Sequence, residues 1–437
     1  RMPPVILAGG LAGIAAAMAM AEPDARPILL ESRPWLGGRV RSFVHEGSGD
    51  EIDNGRHLIT GAYEATLQLC EKLDTRRFLQ EERGLRVEFR ETDGTPRNLR
   101  AARYLPPPLD VAVGLLRIGG LSNTMRMTLL SILPKLARPR PNDAESAADW
   151  LVRIGVTPAL RRRLFDPMII ATLNTAPENA SATLFAAVLR LAFLKGGRAA
   201  SLIVPTAGLS RLVAPAVAYI EERGGEVRLA TTVRGLEREA SDRWIVATSK
   251  GEIATDHVVS ALPWHGAARL LGDHLDDLAF APPVAEHNPI ISLYLWFDRP
   301  LPRVPRFCAL LDTRLEWVFD RRKIEGGTKA GSERSGLLEG VLSDAGDLLG
   351  RSDEEIVADC ARELRSALPE IGNAAVVDAL VIREKRATFA ATPEIERMRP
   401  KPGRIADGLS ICGDWTATGL PGTIEGAIRS GLTAAAS

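Results

Sequence analysis

Val5-Ile6-Leu7-Ala8-Gly9-Gly10-Leu11-Ala12-Gly13 runs an apolar strand straight into a glycine turn. Ile28-Leu29-Leu30-Glu31 follows roughly twenty residues on, a spacing that predicts a dinucleotide-binding strand-helix-strand unit. Gly10 lets the backbone approach a pyrophosphate, and Gly13 lets the helix pack on the strand. The opening amides of that helix, at Leu11 and Ala12, face the phosphate charge. Glu31, at the end of the second strand, is placed to accept hydrogen bonds from a ribose. The pattern departs from G-x-G-x-x-G at its first position, where Ala8 gives up turn freedom.

Two more segments lie just beyond: Ser32-Arg33-Pro34-Trp35-Leu36-Gly37-Gly38-Arg39-Val40-Arg41-Ser42 and Asp53-Asn54-Gly55-Arg56-His57. A plain nicotinamide-binding domain needs neither. Near the other end, Leu409-Ser410-Ile411-Cys412-Gly413-Asp414-Trp415 reads as an apolar strand running into Gly-Asp, and Pro421-Gly422-Thr423-Ile424-Glu425-Gly426 opens a helix. Together these resemble flavoproteins of the amine oxidase and carotenoid desaturase superfamily. That resemblance implies one FAD held by two sequence-distant halves. Gly10, Leu11, Ala12, Gly13, Glu31, Ser32, Arg33, Gly38 and Arg39 would serve its adenosine diphosphate, and the backbone of Val233 its adenine. Asn54, Gly55, Arg56 and His57 would lie beside the flavin, and Gly413 and Asp414 at the ribityl or phosphate region. The helix N-terminus at Thr423 and Ile424 would face the pyrimidine edge, where reduced flavin carries negative charge.

Leu173-Asn174-Thr175-Ala176-Pro177-Glu178-Asn179-Ala180-Ser181 and Ile203-Val204-Pro205-Thr206-Ala207-Gly208-Leu209-Ser210 narrow the resemblance. With the Asp53–His57 segment they are similar to the bacterial squalene-associated FAD-dependent desaturases, better described as hydroxysqualene dehydroxylases. Members usually carry Gly, Gln and Pro where Ala8, Arg56 and Ala176 stand. The resemblance implies reduction of hydroxysqualene to squalene in hopanoid or related triterpene synthesis, with an external electron donor reducing FAD. The hydroxyl is allylic, so its protonation and loss as water leaves a delocalised cation that a hydride can quench. That chemistry asks for a proton donor in a dry pocket, and His57, Asp166 and Glu178 are the candidates. Lys385 stands where amine oxidases place a lysine near flavin N5, though a solvated strand-end lysine explains it too. Two rivals share the fold: a carotenoid-type (phytoene) desaturase, which removes hydride, and a non-catalytic prenyl-binding protein of the GDP-dissociation-inhibitor type.

At 437 residues the chain exceeds what one core usually supports. With 45% hydrophobic and 25% charged residues it is globular, and its zero formal charge gives no pointer to nucleic acid. The expected fold class is α/β, a Rossmann-type FAD-binding domain interleaved with a mixed α+β substrate domain. Residues 1–84, 204–265 and 405–437 form the first, and 85–203, largely helical, and 266–404, sheet plus helix, the second. Helices are expected over Gly61–Leu73, Ala144–Ile154, Pro158–Leu164, Ala180–Leu194, Gly208–Arg223 and Asp353–Leu368. Strands are expected at Leu85–Arg90 and Pro96–Leu99, a hairpin about Asp93-Gly94, and at Glu226–Leu229, Trp244–Thr248, Ile253–Thr255, Pro289–Phe297 and Leu337–Leu342.

Cys70, Cys308, Cys360 and Cys412 have no C-x-x-C spacing, and His257, His265, His274 and His287 have no metal-ligand spacing, so no metal is expected. Scattered thiols suit a reducing cytosol, and the apolar Val5–Ala21 stretch is accounted for by strand, turn and helix. From Tyr104 to Pro141, apolar groups such as Leu129, Leu130, Ile132 and Leu133 are flanked by Arg117, Arg126, Lys135, Arg138 and Arg140. Such a basic amphipathic stretch can lie on the inner face of the cytoplasmic membrane and admit a hydrophobic triterpenoid, or pack as a cap helix on its own domain. Trp296, Trp317, Phe297 and Phe389 are candidates to line its tunnel, or to pack a core.

Overall fold

The computed structural model describes residues 2–22, 24–239, 243–272, 286–327 and 334–437. His274 lies outside them. Four short strands, buried on both faces, form the centre of a six-stranded sheet whose edge strands are partly exposed. Its order is Glu226–Arg228, Ile28–Leu30, Val5–Leu7, Val258–Ser260, Leu409–Ile411 and Gly403–Ala406; all neighbours are parallel except the last pair. The helix Leu11–Met20 returns from the central strand and packs on the helix Ile424–Ala435. The two approach at the backbone: a Cβ on Gly431 would sit 2.1 Å from the Ala12 carbonyl oxygen.

The second large sheet has seven strands, in the order Val376–Phe389, His287–Phe297, Gly336–Leu342, Trp317–Asp320, Phe307–Leu310, Arg86–Arg90 and Pro96–Arg100. Period-2 alternation sends Leu293, Leu295, Val318 and Leu338 into a core with Ile356 and Leu364 of the helix Asp353–Ala367. A capping box between Ser352 and Glu355 starts that helix. Tyr294, Trp296, Phe319 and Glu339 belong to the opposite face, in contact with residues 43–58 and 204–205. A helical block with Leu129, Trp150, Phe165 and Phe185 at its centre completes the core.

The expected hairpin about Asp93-Gly94, the Trp244–Thr248 pairing with Gly251–Thr255, and the helix after Ser352 all form. The expected single helix over 208–223 is instead two, Ser210–Val213 and Ala216–Glu221, divided at Ala214-Pro215 because proline brings no amide hydrogen. The helices expected to run through 158–164 and 180–194 widen into π turns at Arg161–Phe165 and Leu189–Leu194.

Candidate functional site

Three glycine-lined turns converge at the carboxyl ends of the central strands. Ala8, where a glycine is usual, holds φ +80°, so the turn keeps a glycine-like path despite the side chain. Gly13 is required by contact, since a Cβ there would lie 1.9 Å from the Ala8 carbonyl oxygen. A Cβ on Gly10 would meet nothing within 4 Å, so its backbone faces open space. Gly37 bonds back to this turn, its amide donating to the Gly9 carbonyl at 2.8 Å. Glu31 is buried and accepts from the amides of Gly9 and Arg33 at 2.8 Å each, and from the Ser32 hydroxyl.

Arg39 reaches across to the C-terminal segment, donating to Asp414 Oδ1 at 2.7 Å and to the Ala387 carbonyl. Gly413 adopts φ +141°, and its amide donates to the Ser430 hydroxyl. Thr423 caps the last helix by accepting from the Gly426 amide at 3.1 Å. Val233 lies at a register shift in its strand, beside Gly235. Open backbone at Gly10, a guanidinium anchored at Arg39 and a capped helix N-terminus fit a dinucleotide-linked cofactor such as FAD.

The segment Asp53–His57 is fixed to the seven-stranded sheet. Asp53 accepts from Ser42 Oγ, the Leu209 amide and Arg321. Asn54 Nδ2 donates to Glu384 at 2.9 Å. Arg56, expected beside the flavin, is committed to a buried network: its Nε donates to Glu339 at 3.0 Å and its Nη1 to the Pro205 carbonyl. Glu339 also accepts from Arg321 and the Tyr294 hydroxyl. Counter-charges from Arg56 and Arg321 outweigh burial and hold the Glu339 carboxyl below its ordinary range. Glu339, Arg321 and Tyr294 escaped the sequence reading. The signal was one acid inside the apolar run Gly336–Leu342, since a charge there needs a partner.

His57 is half-buried, and its pKa is lowered to about 4, first by desolvation and then by Arg39. It is neutral at neutral pH. Asp166 and Glu178 are brought together elsewhere, around Arg161, at 3.0 Å and 2.5 Å. Burial raises the Asp166 pKa, while Glu178 is exposed. The charged groups around His57 are Arg39, Asp53, Arg56 and Glu339, a set separate from the Arg161 group.

Three of the four tunnel candidates serve packing. Trp296 donates to Asp50 and stacks on His45, Phe297 joins the core under the helix Asp353–Ala367, and Phe389 lies beneath Arg399. Trp317 remains partly open, on a face shared with Phe307 and Phe319. Lys385 is exposed, and Cys412 is a buried thiol pushed up to about 12 by desolvation. Among the described residues no cluster of metal-ligating side chains occurs.

The sequence profile of the family described as flavin containing amine oxidoreductase matches residues 11–437. The hydroxysqualene dehydroxylase of Rhodopseudomonas palustris is 31% identical, covering 98% of this chain and 96% of that protein. That of Sinorhizobium fredii is 30% identical over the same shares. The tomato 15-cis-phytoene desaturase is 25% identical over 98% of this chain and 76% of its own length. Among solved structures, an oxidoreductase from Methanosarcina mazei superposes with a TM-score of 0.75 at 15% identity over 100% of both chains, a likeness of fold.

Proposed function

The chain belongs to the flavin-containing amine oxidoreductases and, within them, to the hydroxysqualene dehydroxylase family, and we propose that it reduces hydroxysqualene to squalene. It is an FAD-dependent oxidoreductase. The observation that carries the reading is the similarity to two hydroxysqualene dehydroxylases across 98% of the chain. The glycine cradle at Gly10, Gly38 and Gly413, with Arg39 bridging to Asp414, supports its cofactor side.

When bound and reduced, FAD supplies hydride. The protein must hold it, exclude water and deliver one proton to the substrate hydroxyl, so that the carbon-oxygen bond breaks and the oxygen leaves as water. Gly10 through Gly13, Glu31 through Arg33, Gly38 and Arg39 would hold the adenosine diphosphate, and the backbone of Val233 the adenine. Asn54, Gly55, His57, Gly413, Asp414, Thr423 and Ile424 would hold the remainder, while Arg56, tied to Glu339 and the Pro205 carbonyl, would brace the Asp53–His57 loop from behind. The same reading divides the chain at 84, 203, 265 and 404 between flavin and substrate domains.

Of the three candidate acids, Asp166 is the carboxyl that burial pushes toward its protonated form; it sits against Arg161, apart from the charged set around His57, so the donor role asks the substrate hydroxyl to lie against the Arg161 group. Glu178 is exposed and ion-paired, and His57 is held neutral, suited to orienting rather than supplying the proton.

Substrate reaches the site from a membrane. Tyr104, Leu109, Met127 and Leu130 are exposed on the segment 104–130, and no described helix is long and apolar enough to cross a bilayer, so contact is peripheral. Anaerobic enzyme carrying reduced FAD, given hydroxysqualene, should yield squalene with matching flavin oxidation. No squalene, with phytoene desaturated by the oxidised enzyme instead, would replace this reading with the desaturase one.

A further inference from the structure

The basic residues expected to face a membrane are partly used inside the protein. Arg126 donates to the Ile118 carbonyl at 3.0 Å, and Lys135 to the Ile154 carbonyl at 2.7 Å. Arg117, Arg138 and Arg140 stay exposed, and a denser set of free positive charge lies next door, on the hairpin Arg86–Arg90 and Pro96–Arg100 and the loops that flank it. Arg86 stands directly across from Arg100 in the strand register, and both are exposed. Like charges opposed across a hairpin are unfavourable unless something anionic lies over them.

The same end of the hairpin borders a surface cleft of about 480 Å³, lined by Arg83, Gly84, Ala101, Arg103 and Leu105. Its acids are already engaged. Glu81 accepts from Arg76 and Arg198, Glu82 from Arg306, and Asp110 from the Gly197 amide. Arg83 and Arg103 are exposed and make no side-chain hydrogen bond or ion pair among the described residues, nor do Arg86 and Arg100. Tyr104 and Leu109, 72% and 53% exposed, adjoin the cleft through Arg103, Leu105 and Asp110.

From this arrangement we infer that the Arg83–Arg103 cleft and the Arg86–Arg100 pair form a binding site for anionic phospholipid headgroups. The phosphodiester sits among the arginines, and the acyl chains run along Tyr104 and Leu109. This inference rests on the proposed peripheral membrane contact and adds its lipid chemistry. Cationic guanidinium at four positions, with Glu81 and Glu82 ion-paired to other arginines and Asp110 buried, favours negatively charged lipid over zwitterionic lipid. The apolar rim alone would not discriminate between them.

Flotation of the FAD-loaded enzyme with phosphatidylcholine vesicles, and with vesicles containing phosphatidylglycerol, tests it. The enzyme should float with the anionic vesicles, and salt should release it. Partitioning should fall about fivefold for each arginine removed, so roughly twenty-five-fold in R83Q/R103Q and again in R86Q/R100Q. Bound flavin and activity on detergent-dispersed substrate should be unchanged in both. Equal binding to neutral and anionic vesicles, or parental binding by both double variants, overturns the headgroup site. If that charge-independent binding is lost in M127S/L130S, the membrane contact stands without it. No binding to vesicles of either kind overturns both.

Discussion

Arg56 Nε lies 3.0 Å from Glu339 Oε2, with both side chains closed to solvent. One comes from the flavin-side loop and the other from the centre of the seven-stranded sheet. Glu339 also takes Arg321, which pairs with Asp53 and Glu325 as well, whereas among the described residues Glu339 is the carboxylate that compensates Arg56. Glu339→Gln should therefore cost about 3–5 kcal/mol in urea unfolding, the usual result of stranding buried charge. Arg56→Gln should cost less, because Glu339 keeps Arg321 and Tyr294.

Ala8 pays for its φ of +80°. Ala8→Gly should raise stability by about 1 kcal/mol, the strain of an L-residue in that region less the added freedom of the unfolded chain. Flavin content per chain, read from visible absorbance, should not change, since the turn already follows the glycine path.

The bipartite cradle was legible in the sequence because each piece is a local motif. Gly13, Gly37, Gly38 and Gly413 mark backbone demands, and such demands appear as glycine at fixed spacing. The Arg56–Glu339–Arg321–Asp53 network was not legible as a network, since it joins residues as far apart as 53 and 339; Glu339 in its apolar run signals that a partner is needed but not which one. Nor does anything local tell that, within the basic stretch 104–141, Arg126 and Lys135 spend donors on the Ile118 and Ile154 carbonyls while Arg117 and Arg138 stay exposed. The strand Val376–Phe389 was missed because Arg, Glu and Lys on its partly exposed side break the apolar alternation.

Burial pushes the Glu316 carboxyl up to about 7, while the Ser343 amide donates to it. Between pH 4.5 and 7 the folded chain keeps a proton that the unfolded chain has lost, so this group lowers stability as pH rises. The loss amounts to as much as about 3 kcal/mol. Glu316→Gln, which can still accept from Ser343, should match the parent near pH 4 and exceed it at pH 8 in thermal unfolding.

His57 has the opposite linkage. Its folded pKa of about 4 lies below the ordinary 6.5, so the unfolded chain takes up its proton first as pH falls. The stability it contributes is complete above pH 6.5 and declines toward pH 4. His57→Gln should flatten that part of the Tm profile. The His57 imidazole resonances of the parent should show no titration between pH 6 and 8.

Asp166 and Glu178 share Arg161 yet should respond differently to neutralisation. Loss of a positioned proton donor typically costs 10²–10⁴-fold, and Asp166→Asn should slow single-turnover oxidation of reduced flavin by hydroxysqualene within about that range. Glu178, 59% exposed, should give less than roughly a threefold change as Glu178→Gln, in keeping with an exposed ion pair. Flavin content should stay at the parental level in both variants, which separates a lost proton from a lost cofactor. If Glu178→Gln gave the large effect and Asp166→Asn the small one, the assignment would reverse. Burial at Asp166 would then serve only to seat the first turn of the helix Asp166–Leu173.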